Sequence, residues 1–178
     1  MEPWMKKMLH ALLDQVELPR VFRYTQSFPD ECLDDIPATL ARSWAACPAA
    51  KAVRPGMRVA LSVGSRGIAE LPVLVAAIAA RVRACGAEPF VVPAMGSHGG
   101  GTEEGQREVL TGYGITEENL GVPVVTTVDT VLLGHAANGR PIWFDRAAFE
   151  ADLIVPINRV KLHTDFVGPL QSGLCKML

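Results

Sequence analysis

Two short apolar runs with one helix-length segment between them constrain this chain more than any other feature. Arg58 to Val63 and Pro89 to Val92 read as strands, and Ala69 to Cys85 between them reads as a helix. The connections, Gly64-Ser65-Arg66-Gly67 and Gly86-Ala87, carry turn-forming residues. Strand, crossover helix and strand make a βαβ unit, which needs parallel strands and, from the twist of both elements, a right-handed crossover. The expected fold class is therefore α/β, a mostly parallel sheet flanked by helices.

The remaining pattern extends this plan. Trp4 to Val16 shows a helical apolar stripe that Pro19 ends, and Val21 to Ser27 reads as a short extended segment. Ile36 to Ala46 is a second predicted helix, with Pro37 in its first turn and Pro48 beyond its end. Thr102 is placed to cap a helix over Glu103 to Leu110, and Thr116-Glu117-Glu118 repeats that signal. Val122 to Val128 reads as a strand. Val131 to His135 and Pro141 to Phe144, joined through Asn138-Gly139, read as a β-hairpin with a tight turn. Asp152 to Ile157 reads as a buried strand with Pro156 at its end, where the ladder no longer needs an N–H. Neither a repeat nor a linker interrupts the 178 residues, so residues 1–178 are expected to form a single domain.

Composition narrows the class of ligand. With 49% hydrophobic and 20% charged residues the chain has material for one sizeable core. A formal net charge of -2 with dispersed Lys and Arg argues against nucleic acid and against an anionic membrane surface, leaving a small molecule. The longest apolar run, Leu71 to Ala80, falls short of the roughly 20 residues of a spanning helix. Nothing near the N-terminus reads as a signal peptide, so a cytoplasmic protein is expected. The 4 cysteines show no metal-knot spacing, and Cys85 is expected to be buried.

The polar chemistry collects in loops after strands. Gly64-Ser65-Arg66-Gly67 follows the first strand, where backbone N–H groups, a helix N-terminus and the Arg66 guanidinium suit a phosphate or carboxylate; a plain tight turn explains the same residues equally well. His98 lies among Gly96, Gly99, Gly100 and Gly101, with no bulky neighbour to make it a core residue. Its imidazole suits a proton carrier or a metal ligand. His163 shares the segment after the last strand with Asn158, Lys161, Asp165 and Lys176, and Asp165 is placed to orient it. His10 and His135 fall on a helix and in the hairpin and are not expected to act.

Taken in order, Gly64-Ser65-Arg66-Gly67, Met95-Gly96-Ser97-His98-Gly99-Gly100, Asn158 to Phe166 and Ser172 to Leu178 resemble the N-terminal, Rossmann-like domain of the lactate racemase family. These are nickel-pincer-nucleotide-dependent racemases and epimerases of 2-hydroxy acids. The resemblance covers roughly residues 20–178 and implies catalytic roles for His98 and His163, each the general base for one enantiomer. It implies that Lys176 holds the nickel-pincer nucleotide through a thioamide, and that Gly64, Ser65 and Arg66 contact its nucleotide part and the substrate. Val63 stands where lactate-type members carry an acidic residue, which implies different substrate anchoring. The nickel-ligating histidine and the second domain follow this lysine in the family, whereas the sequence ends at Leu178. The resemblance thus implies the N-terminal domain of a larger two-domain enzyme, without turnover by itself. Besides a small 2-hydroxy acid, a second copy of the chain is an expected partner.

Two other classes use the same residues. A small-molecule or nucleotide-binding module needs the glycine-rich loops alone. A divalent-metal hydrolase would use His98, His163 and Asp165 as ligands.

Overall fold

The computed structural model describes residues 2–14, 16, 20–28, 32–65, 67–159 and 167–169, and the chain falls into two compact units, Met1–Cys32 and Leu33–Leu178. In the first unit α1 (Pro3–Leu13) opens with a proline in its first turn, where a missing N–H costs nothing, and none of its residues is buried. Residues 20–28 form neither helix nor strand.

In the second unit α2 (Ile36–Ala46) starts where its signals place it, because the Ala38 N–H donates to the Asp35 carboxylate at 2.8 Å and Pro37 fills the first turn. After a 3-10 turn at Pro48–Ala52, the βαβ unit comprises β1 (Arg58–Val63), α3 (Leu71–Ala84) and β2 (Glu88–Pro93). Then follow α4 (Glu103–Gly112), α5 (Glu117–Leu120), the antiparallel pair β3 (Thr130–His135) and β4 (Pro141–Asp145), α6 (Arg146–Phe149) and β5 (Leu153–Ile157). Thr102 and Thr116 cap α4 and α5 through their hydroxyls, which accept from Gly105 N and Asn119 N.

The main sheet is parallel in the order β2-β1-β5. The central strand, β1, is an apolar run because neighbours cover both of its faces, and Val59, Ala60, Leu61 and Val63 are fully buried. Val59, Leu61 and Val63 pack with Val75, Ile78 and Val82 of α3. Ala60 points the other way, into a second cluster with Phe90, Val92 and Ala148 that the hairpin residue Phe144 joins. Each fully buried Val or Leu contributes about 1.5–3 kcal/mol. Three layers result: helices, parallel sheet, and the hairpin with α6.

The register aligns the C-terminal ends of the strands. Val63 stands opposite Pro93 on one side and Ile157 on the other. The loops beginning at Gly64, Ala94 and Asn158 therefore leave the sheet at one level. The chain also departs to opposite sides of β1 to form β2 and β5, the reversal that opens a crevice at the carboxyl ends of such sheets.

Several local expectations change. Helix α3 begins at Leu71 rather than Ala69, after Glu70 in a left-handed conformation, so residues 68–70 separate it from Gly67. Val122 to Val128 makes only one parallel bridge, Val91 with Val124. Val91 N donates to Pro123 O at 2.8 Å and Val125 N to Val91 O at 2.9 Å, but Pro123 at one end and Pro93 of β2 at the other have no N–H to extend the ladder. The hairpin turn is Ala136 to Gly139, closed by Gly139 N donating to Ala136 O at 2.8 Å. Gly139 takes the left-handed position after the turn, with φ 80°, so Ala137 and Asn138 form the centre.

Strand β5 is half-buried, with only Ile157 fully buried, since it pairs with β1 alone among the described residues. Ile157 O accepts from Gly64 N, so Ile157 turns its polar groups to β1, and Pro156, one residue earlier, turns its nitrogen away. The proline thus sits inside the strand at no cost to the ladder. Cys85 is half-buried at the end of α3, and no helix among the described residues is long and apolar enough to cross a membrane.

Candidate functional site

Two of the anticipated loops meet above β1 and β2. The Ser65 hydroxyl lies 2.5 Å from Nδ1 of His98. Ser65 is buried and His98 half-buried, so the contact is sheltered at the strand ends while His98 keeps part of its surface exposed. Gly64 is buried and donates its N–H to Ile157 O at 3.2 Å, which commits that group to the sheet rather than to a ligand. The loop after β5 joins the same edge, because Arg159 donates from Nη1 to Gly67 O at 3.1 Å. Arg66, Lys161, His163, Asp165, Ser172 and Lys176 lie outside the described residues.

The glycines around His98 have distinct uses. Gly99, Gly100 and Gly101 all have positive φ, at 63°, 70° and 68°. Only glycine adopts such a run without strain. Gly99 also packs backbone to backbone on Gly105 of α4, and a Cβ on either would overlap the other's main chain. Gln106, 8% exposed, donates from Nε2 to Gly96 O at 3.1 Å and holds the start of the loop. Sequence reasoning missed Gly105 and Gln106, since a glycine and a glutamine on a helix carry no local sign of the loop they support.

Next to this loop is a cleft of about 310 Å³. Gly96 and Gly101 line it together with Thr130, Trp143 and Asp145 of the hairpin. The hairpin register explains the hairpin's share: Thr130 pairs with Asp145 and Leu132 with Trp143, which places these side chains on one face. Asp145 caps α6, its Oδ1 accepting from Ala148 N at 2.7 Å. Burial pushes its carboxyl above the ordinary carboxylate range and nearby Asp129 adds to this, against the lowering effect of the Ala148 and Ala147 N–H groups. A larger cleft of about 440 Å³, lined by Arg58, Glu88 and Phe90, lies at the N-terminal ends of β1 and β2, opposite the loops that carry the polar chemistry.

Thr126 is fully buried, and its hydroxyl has no hydrogen-bond partner among the described residues. No group of three or more His, Cys, Asp or Glu residues is arranged for a metal ion among the described residues. His10 and His135 are exposed, on α1 and β3.

No protein-family model, curated protein or solved structure matches this chain.

Proposed function

We propose that the crevice above β1 and β2 belongs to a racemase or epimerase of 2-hydroxy acids of the lactate racemase type, with His98 and His163 as opposed general bases. The observation that carries this reading is the Ser65 to His98 contact. When the imidazole donates from Nδ1 to the serine oxygen, Nε2 holds the lone pair, the state a base needs to take a proton from a substrate hydroxyl. A glycine loop that can accept a small acid beside that imidazole is the second support.

Of the expected cofactor cradle, Gly64, Ser65, Arg66 and Lys176, only Gly64 and Ser65 are described, and the glycine loop beside them leaves room for a small acid. No atom lies within 4 Å of where a Cβ would stand on Gly96, Gly100 or Gly101, so space is open against that backbone. In this reading Ser65 and Arg66 hold the phosphorylated end of the nickel-pincer nucleotide, and Lys176 holds its ring by a thioamide. When bound, that cofactor supplies a pyridinium ring able to accept the C2 hydride and give it back. The chain's own task is proton transfer: His98 removes the hydroxyl proton of one enantiomer and His163 returns one to the opposite hand. Ser65 keeps the His98 ring oriented during this exchange. The protein is cytoplasmic in this reading, with a small acid rather than nucleic acid as its ligand, in keeping with its net charge of -2.

Producing the protein together with the enzymes that build the cofactor, followed by mass spectrometry of the intact chain, tests the proposal. An adduct containing nickel, sulfur and a mononucleotide is expected on Lys176 and absent from Lys176→Ala. In loaded protein that interconverts a 2-hydroxy acid, His98→Ala should lower the rate about 10²- to 10⁴-fold. Tightly bound zinc or iron with no organic adduct would instead identify a metal hydrolase.

A further inference from the structure

The hairpin wall of the 310 Å³ cleft carries features that proton transfer at His98 does not use. Trp143 is 58% exposed, a large indole surface facing an opening instead of a core. The same cleft is lined by Gly96 and Gly101, where open space replaces side chains. A cleft lined by an indole and by bare peptide backbone suits a flat ring, which gains both apolar burial and stacking. Asp145 supplies polar selectivity at the same wall. Its carboxylate has about four acceptor positions, and backbone N–H groups of Ala148 and Ala147 engage it. Among the described residues no Lys, Arg or His forms an ion pair with it. It therefore retains capacity for a ligand donor, with the Thr130 hydroxyl beside it on the hairpin face.

We infer that this cleft receives the side chain of the substrate, and that the substrate is a 2-hydroxy acid bearing an aromatic ring with a hydrogen-bond donor, stacked on Trp143 and donating to Asp145. This assignment rests on the racemase reading. The orientation follows from charge: Asp145 repels the acid's own carboxylate, so that end faces away from the hairpin while the ring donor faces towards it. His98 does not itself line the cleft, but it belongs to the loop whose Gly96 and Gly101 do, so the base and the cleft adjoin through that loop. A methyl side chain would leave most of a 310 Å³ cleft unfilled.

Calorimetric titration of the protein with para-hydroxyphenyllactate, phenyllactate, lactate and para-cresol decides the matter. Phenyllactate is expected to bind about tenfold more tightly than lactate, with a further gain for the para-hydroxyl. Trp143→Ala should abolish the advantage of the ring. Asp145→Asn, which keeps an N-cap for α6, should abolish only the gain from the hydroxyl. Equal affinity for lactate and both aryl acids overturns the substrate class and leaves the racemase reading standing, as does an aryl advantage that survives both substitutions. Binding of para-cresol that depends on Trp143, with no gain from the hydroxy acid group, overturns the racemase reading and the substrate assignment together while retaining a ring site.

Discussion

The Ser65 hydroxyl and His98 Nδ1, 33 residues apart in sequence, stand 2.5 Å from each other across the ends of two adjacent parallel strands. Either atom is able to hold the proton of this contact. Base chemistry at Nε2 requires Nδ1 to carry it and Ser65 to accept. Nitrogen-15 NMR of the neutral imidazole should therefore report the Nδ1–H tautomer, and Ser65→Ala should give mixed tautomers with a stability loss of about 1 kcal/mol. An Nε2–H tautomer in the parent protein would count against His98 as the base.

The backbone approach of Gly99 to Gly105 separates two glycine roles. Gly105→Ala should destabilise the protein by about 2 kcal/mol or more, because a Cβ there overlaps the main chain of Gly99 and neither backbone can swing aside. Gly100→Ala meets open space and carries only the left-handed backbone penalty, about 1–2 kcal/mol. Urea unfolding of the two variants measures the difference. A Gly105→Ala protein as stable as its parent would contradict the close packing.

Asp145 should impose a pH dependence of known sign. Its folded pKa is raised, so between the ordinary value of 3.8 and that higher value the folded state binds more protons than the unfolded one. Stability from this group is present at low pH and is lost as pH rises through that window. The stability of the parent relative to Asp145→Asn should accordingly be most favourable below the window, decline through it and level off above it, as measured by urea midpoints across the acidic range. A difference that grows with pH would refute burial as the dominant cause.

Thr126 offers a stabilising substitution. Its buried hydroxyl has no partner among the described residues, and valine has the same shape without the polar atom. Thr126→Val should raise stability by about 1 kcal/mol. Thermal or urea unfolding checks it, and a clear loss would mean that the hydroxyl is satisfied in solution.

Much of the fold was legible because the relevant physics is local. Strand β1 is bounded as its apolar run predicts, α2 by Asp35 and Pro37, and α4 by the Thr102 cap. The errors arose where local pattern met a tertiary condition. Val122 to Val128 has strand composition, yet Pro123 cannot donate to β2 nor Pro93 of β2 to it, and the pairing shrinks to one bridge. Strand β5 is rich in aliphatic residues, yet its position at an edge leaves it half-buried.

Residue identity and spacing alone determined the alternation of helices and strands, the parallel βαβ unit and the two loops rich in glycine, since periodicity and capping act between near neighbours. Only the tertiary structure decided that Ser65 reaches His98, that Arg159 ties the third loop to Gly67, and that Trp143 and Asp145 line one cleft with Gly96. These contacts depend on strand register and on the packing of the hairpin over the sheet. Both are settled by the summed burial of the whole core, and no single stretch of chain encodes them.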